Sequence, residues 1–429
     1  MAFLLKGARV VDPAAGLDQV ADVLIDGDRI VEVGEGIDAP AAEPVDLSGK
    51  VLVPGLVDMH VHLRDPGYEY KEDIDTGTRA ACRGGFTGVC SMPNTDPVTD
   101  TGAVIRYVLA RAAEAGHCRV YPAGAMTKGL GGEILSEMGD MVDNGCVAFT
   151  DDGRGVQSAG MMRRCMDYGK MFGKVFMSHC QIESLVGEGQ VNEGVCSTRL
   201  GLLGWPAEGE ELEIQRDIAL ARLTGARFHV QHITTRRGLD MVRAAKAEGL
   251  PVTCEATPHH MFLNEDCITQ AYETCYKVNP PLRTREDADA VIEGVLDGTV
   301  DCIVTDHAPH ADWEKAREFE LAPFGMTGLE TSLALVNTNL VKTGRMGYDR
   351  LVELMSINPR RILGVEAVSI APGSTADISV FDPDLEWTVG EDGFESKANN
   401  SGYIGQHLVG RATDVFVGGK RTLADGVVC

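Results

Sequence analysis

The sequence predicts a (β/α)8 barrel, the TIM-barrel class of α/β fold, carrying a small β-sandwich unit assembled from both ends of the chain. Three features predict it. Eight apolar, strand-like runs between residues 53 and 306 alternate with stretches of helical period, and such alternation implies parallel strands that close at eight units. Several of those runs end in histidine or aspartate. Both termini read instead as short alternating strands broken by turns.

Residues 1–52 hold the first half of the small β unit. Ala8-Arg9-Val10-Val11-Asp12-Pro13, Val23-Leu24-Ile25 and Val31-Glu32-Val33-Gly34 are its strands, and Asp26-Gly27-Asp28 is a hairpin signal. The barrel, residues 53–366, opens with Val53-Pro54-Gly55-Leu56-Val57-Asp58-Met59-His60-Val61-His62-Leu63-Arg64-Asp65-Pro66-Gly67. In a strand, residues two apart share a face, so His60 and His62 converge on one point. The further strands are expected at 85–92, 118–125, 146–152, 174–179, 228–233, 251–256 and 301–306. Helical period marks 78–82, 103–113, 211–223 and 239–247. Residues 367–429, with Ala376–Asp382 and Val415–Lys420, complete the small unit; the boundary falls between Leu363 and Pro372. A doubly wound open sheet is the alternative, but no strand is followed by Gly-x-Gly-x-x-Gly.

A net charge of −25 and a pI near 4.8 argue against nucleic acid or an anionic membrane as partner. An anionic substrate therefore requires a local positive site, and Arg64 beside the histidine pair is a candidate. The 12 cysteines show no C-x-x-C pair, and several lie in apolar runs, which fits a reducing compartment. Met1–Lys6 is too short for a signal-peptide core, and no apolar stretch reaches membrane-span length, so a cytoplasmic protein is expected.

At the C-terminal mouth of such a barrel stand His60 and His62 after the first strand, Asp152 after the fourth, His179 after the fifth, His232 after the sixth and Asp306 after the eighth. Taken singly, each is equally at home as a hydrogen-bonded strand-end residue. Together, four imidazoles and two carboxylates exceed one tetrahedral zinc with an open position. They suit two metals sharing a bridging carboxylate, roughly 3.5–4 Å apart. Of the other histidines, His117 and His407 read as solvated, and His229 as packing on the face opposite His232. His259 and His260 read as an outer layer, and one of His307 and His310 as a substrate contact.

Four motifs then resemble one family: Asp58–Gly67, Ser91-Met92-Pro93-Asn94-Thr95, Lys277-Val278-Asn279-Pro280-Pro281-Leu282-Arg283 and Thr305-Asp306-His307-Ala308-Pro309-His310. With Pro323–Glu330 they are similar to the longer dihydroorotases of the amidohydrolase superfamily. The resemblance implies two zinc ions per chain, one on His60, His62 and Asp306 and the other on His179 and His232. Many amidohydrolases bridge the metals with a carbamylated lysine. Phe149-Thr150-Asp151-Asp152-Gly153 has none, which matches an aspartate-bridged subgroup, with Asp152 as the bridge and Asp151 as the alternative. It further implies that Arg64, Asn94 and His310 hold a substrate carboxylate, that Asn279 and the Phe324-Gly325 backbone hold ring amides, and that His62 also faces substrate.

The activity so implied is the reversible cyclisation of N-carbamoyl-L-aspartate to L-dihydroorotate plus water in de novo pyrimidine (UMP) biosynthesis. A metal-bridging hydroxide would be the nucleophile and Asp306 the general acid/base. A homo-oligomer, as a dimer, and association with aspartate transcarbamoylase belong to the same set of implications. Hydantoinase, allantoinase and a metal-free scaffold are the rival readings. The same ligands would also take cobalt or manganese. The charged segment 311–325 reads either as a lid or as a solvated helix-loop.

Overall fold

The run that opens the barrel is two strands. In the computed structural model, which describes residues 2–429, Val51–Pro54 pairs with Ala2–Asp12 and Ile378–Thr388 in the terminal sheet, and Leu56–Val61 is the first barrel strand. Gly55 makes the hand-over. Its N–H donates to Asp377 O at 2.9 Å, and a Cβ there would lie 2.2 Å from Thr87 Oγ1, so only glycine passes.

Each of the eight expected runs contributes a barrel strand. After Leu56–Val61 come Phe86–Ser91, Arg119–Gly124, Ala148–Thr150, Val175–Ser178, Phe228–Val230, Val252–Ala256 and Cys302–Ile303, parallel and paired in chain order. A parallel bridge from Val61 to His307, with His62 N–H donating to His307 O at 2.9 Å, ties the last strand back to the first. Helices Ile74–Arg83, Gly102–Ala115, Glu208–Thr224 and Arg236–Ala247 contain the four helical-period stretches. Asp73 starts the first of them with a reciprocal capping box to Thr76, which satisfies N–H groups the helix cannot.

Two packing layers follow from strand alternation. Ile105, Val108, Leu239 and Val242 from the helices pack with Phe86, Phe149, Phe176 and Phe228 from the strands. Burying each such side chain contributes about 1.5–3 kcal/mol. Val57, Met59, Cys90, Met92, Met177, Cys302 and Val304 form a second cluster. Strands one and five lie across the barrel from one another, so these residues meet through its interior. Above them the first strand slips register against its neighbour between Asp58 and Val61, a bulge of the kind that re-aims side chains beside active sites.

The terminal unit is one continuous nine-stranded sheet to which both chain ends contribute. Its core unites Leu5, Val23, Ile25 and Leu52 with Ile378, Val380 and Phe416. Among the described residues no helix is long and apolar enough to cross a membrane. The cysteines are free and, apart from Cys267, Cys275 and Cys429, buried.

Candidate metal and substrate site

The interior of the barrel turns polar one layer above the apolar cluster. Glu255, fully buried on the seventh strand, accepts from His60 Nδ1 at 2.6 Å and from His229 Nε2 at 3.0 Å. His229 therefore faces inward and does not pack on the outer face as its distance from His232 suggested. The reason lies at His232, whose φ of 30° breaks the alternation of the strand, so that His229 and His232 both point into the barrel. Burial alone would push the Glu255 carboxyl up; the His60 and His229 imidazoles override it and hold it at about 2.

Oriented by Glu255, His60 presents Nε2 to Asp152 Oδ1 at 3.4 Å and to Asp306 Oδ1 at 3.5 Å. His62 Nε2 lies 3.0 Å from Asp306 Oδ1 and 3.4 Å from Asp152 Oδ2. His179 Nδ1 and His232 Nε2 are 2.8 Å apart, with Asp152 Oδ1 4.0 Å from His232 Nε2. His60, Asp152 and His232 form one buried group, and His60, His62 and Asp306 another, each with ligand atoms within 4.8 Å of one another. His60 Nε2 and Asp152 Oδ1 are buried without a hydrogen-bond partner. Orphaned buried groups of this kind are costly unless something else binds them. A donor set of imidazole nitrogens and carboxylate oxygens meeting at such atoms fits divalent cations.

Burial acts to lower the His60 imidazole, but the Glu255, Asp152 and Asp306 carboxylates raise it well above its ordinary value, so the cluster draws positive charge, which a proton or a cation can supply. Burial acts to raise the Asp152 carboxyl, but the imidazoles of His60, His62 and His179 hold it well below the usual range. Burial and the neighbouring imidazoles keep His232 well below its ordinary value, and therefore neutral. Ionised carboxylates and neutral imidazoles are the forms that ligate metal. Asp151 faces the other way and accepts from Met126 N, Thr127 N and the Thr127 hydroxyl. Arg64, His232 and Asp306, at φ of 62°, 30° and 45°, occupy the left-handed region that costs a non-glycine residue energy. Three such residues at one mouth are the pattern of a functional site held by its surroundings.

Beyond the cluster opens a cavity of about 580 Å³, in the size range of small-molecule sites. It is lined by His62, Arg64, Asn94, Asp152, His179, His232, Asn279, Asp306, His310, Phe324 and Gly325, with His60 fully buried beneath. The six expected metal ligands and the expected substrate contacts Arg64, Asn94, Asn279, His310, Phe324 and Gly325 are thus in one place. Arg64 donates only to Pro309 O at 3.3 Å and approaches His310 Nε2 at 3.4 Å; among the described residues it has no carboxylate partner. Burial and the Arg64, Lys71 and Lys315 cations keep the His310 imidazole far below its ordinary value, so it is neutral and donates from Nε2 to Phe324 O at 2.7 Å. Asn94 accepts from His62 Nδ1 at 2.9 Å. Asn279 donates to Gln181 Oε1 at 2.9 Å, while its own Oδ1 is buried without a partner. A Cβ on Gly325 would meet Ala308 Cβ at 2.7 Å and His310 Nε2 at 3.1 Å, at a φ of 130°.

Several contributors escaped the sequence reading. Glu255 was a charge inside an apolar strand, a signal that was available. Gln181, two residues beyond His179, bonds His179 Nε2 at 2.9 Å, and Arg154 lines the mouth. His307 is held by Glu72 and by Gly328 N–H, leaving His310 as the histidine of that pair in the cavity. His117, expected in solvent, is buried with Nε2 3.1 Å from Asp75, because the turn carrying it folds against helix Ile74–Arg83; His407 is exposed as expected. His260 bonds Thr257 and Pro280 O and so supports the loop of Asn279. Segment 311–325 is tied down by Lys277, whose Nζ donates to Phe319, Glu320 and Ala322 carbonyls, and by Lys315, which donates to Pro323 and Gly325 carbonyls.

A parallel eight-stranded barrel with imidazoles and carboxylates at its C-terminal mouth, backed by a sheet from both chain ends, is the architecture of the cyclic amidohydrolases. L-Hydantoinase (dihydropyrimidinase) from Arthrobacter aurescens matches it with a TM-score of 0.89 and 26% identity, covering 100% of this chain and 97% of that one. D-Hydantoinase from a Thermus species matches with a TM-score of 0.87 and 25% identity, over 100% and 96%. The Dihydro-orotase-like family model matches residues 49–238. The dihydroorotase of Geobacter metallireducens is 48% identical over 421 residues, 98% of this chain and 99% of that protein. That of Pelotomaculum thermopropionicum is 48% identical over 428 residues, the full length of both. The chain belongs to the dihydroorotase family and is an enzyme of the cyclic amidohydrolase class.

Proposed function

We propose that the chain interconverts L-dihydroorotate and N-carbamoyl-L-aspartate, using two divalent cations, zinc in our reading. One observation carries the choice of substrate: Arg64, a guanidinium without a carboxylate partner, stands beside His310 in the cavity that Asn94 and the imidazole cluster also line. Such a site selects an anion, and a guanidinium suits a carboxylate by two-point contact. Hydantoin has no carboxylate to offer it.

His60, His62 and Asp306 would hold one cation and His179 and His232 the other, with Asp152 between them. Cations held there supply a water acidic enough to ionise near neutral pH and a Lewis acid for the attacked carbonyl. The chain's own groups do the rest. Arg64, with Asn94 and His310, fixes the C6 carboxylate and thereby the ring. The unpartnered Asn279 Oδ1 accepts a ring N–H. Gly325 lets its loop pack against Ala308 and His310, where a Cβ would clash, and so holds the backbone at that edge of the cavity. In ring opening, water oxygen bonds to C4, the C4–N3 bond breaks, and Asp306 carries the water proton to N3. Ring closure runs the same steps in reverse.

The test is turnover of L-dihydroorotate, hydantoin and allantoin by the purified protein, with bound metal counted in the same sample. Turnover confined to L-dihydroorotate with two metals per chain is expected. Strong hydantoin turnover would move the assignment to the neighbouring enzymes, and a metal-free inactive protein would make it a scaffold.

A further inference from the structure

We infer that Asn400, contributed by the connection between two strands of the terminal sheet, is a positioning residue for the carboxylate end of the substrate site. The inference rests on the carboxylate-binding reading above. The chain leaves the sheet after Ile378–Thr388 and returns at His407–Val417; between them it crosses the barrel mouth. It is strapped there. Arg79 donates to Glu395 at 2.9 Å, the Glu395 N–H donates to Glu330 at 3.0 Å, and the Ser396 hydroxyl and the Lys397 N–H donate to Glu72, which also holds His307.

The strap ends on Asn400, whose side chain is buried at 6% exposure. Its Oδ1 accepts the His310 backbone N–H at 3.1 Å. Its Nδ2 donates to Ala308 O at 3.2 Å and to Gly325 O at 3.0 Å. A single amide therefore joins two separate loops, one carrying His310 and the other Phe324 and Gly325. Those loops meet inside the site at the 2.7 Å bond between His310 Nε2 and Phe324 O. Asn400 does not itself line the catalytic cavity; it borders a separate cavity behind it.

Removing the amide leaves the His310 N–H and the Ala308 carbonyl to find new partners, while Gly325 O keeps Lys315, and the two loops lose the side-chain tie that supplements the Ala308 N–H to Met326 O bond. The strand-end groups, His60, Asp152, His179, His232 and Asp306, make no contact with it. The expected signature is therefore a split: weaker grip on the carboxylate with the chemistry retained.

The metal-loaded wild type, Asn400→Ala and Asn400→Ser are compared for KM and kcat on L-dihydroorotate, inhibition by orotate, metal content and melting temperature. In the folded variants KM and the orotate inhibition constant rise about tenfold or more, kcat stays within about threefold, and bound metal is unchanged. Serine keeps a small polar group in place should alanine prevent folding. A folded variant with unchanged KM, a loss confined to kcat, or failure of both variants to fold would overturn the inference. A wild type that neither turns over L-dihydroorotate nor binds orotate would overturn the carboxylate reading itself, before any variant is made.

Discussion

His60, Asp152, His179, His232 and Asp306 stand at the ends of barrel strands, whereas Arg64, Asn94, Asn279, His310 and Phe324 stand on the loops beyond them. In the first group each ring or carboxylate faces another, and the parallel ladder fixes the backbone behind it. In the second the cation has no ion-pair partner, and the loops are held by Lys277, Lys315 and Asn400. The division matches the two tasks proposed for the site. Groups that activate water need a rigid frame, while groups that grip a substrate carboxylate need an open cation whose surroundings can be tuned.

Substitutions should separate the two regions, and the largest effect belongs to the strand ends. Asp306→Asn keeps shape but removes the proton carrier, so kcat should fall by about 10²–10⁴ with orotate binding retained. Weakened orotate binding of the same size would break the division. Glu255→Gln leaves His60 in place but removes the charge that orients it. Metal affinity, measured by competition with a chelator, should drop about 10–100-fold, as for other groups that orient a metal-ligating histidine. Arg64→Ala acts on the other side: KM for L-dihydroorotate should rise about 10–100-fold, the worth of a charge-assisted hydrogen bond, with metal content unchanged. An equal loss of metal would show that the regions are not independent.

The smallest effect concerns the strap. Burial, only partly offset by Arg83 and the Glu395 and Ser396 N–H groups, raises the Glu330 carboxyl from 4.5 to about 7. Between those values the folded chain binds a proton that the unfolded chain has released, so this group's contribution to stability falls as pH rises through that window. Glu330→Gln cannot ionise. Its melting temperature relative to wild type should therefore rise between pH 4.5 and 7 and then level off; a flat difference would assign Glu330 an ordinary carboxyl.

The strand-end half was legible in the sequence because a strand has period two and a barrel has one functional mouth: His60 and His62 share a face, and only one of Asp151 and Asp152 can point inward, though parity alone left open which. Parity failed at His232, where a left-handed residue follows the strand and reverses the face, and His229 was misplaced with it. The loop half was legible only through motifs. Asn400 stands 90 residues beyond His310 in a different structural unit, and nothing in local pattern links the two. No pattern in the sequence marks Lys277 and Lys315 as buried, because their partners are backbone carbonyls, which any sequence supplies. Burial pushes them down to about 8 and about 7, a consequence of tertiary packing alone.

The most direct measurement is anomalous diffraction at the zinc edge from crystals grown with zinc and orotate. Two peaks are expected, one among His60, His62 and Asp306 and one against His179 and His232, with Asp152 between them and the orotate carboxylate on Arg64. A single peak, or a carboxylate bound away from Arg64, would contradict the division of the site into a metal-holding strand half and a carboxylate-holding loop half.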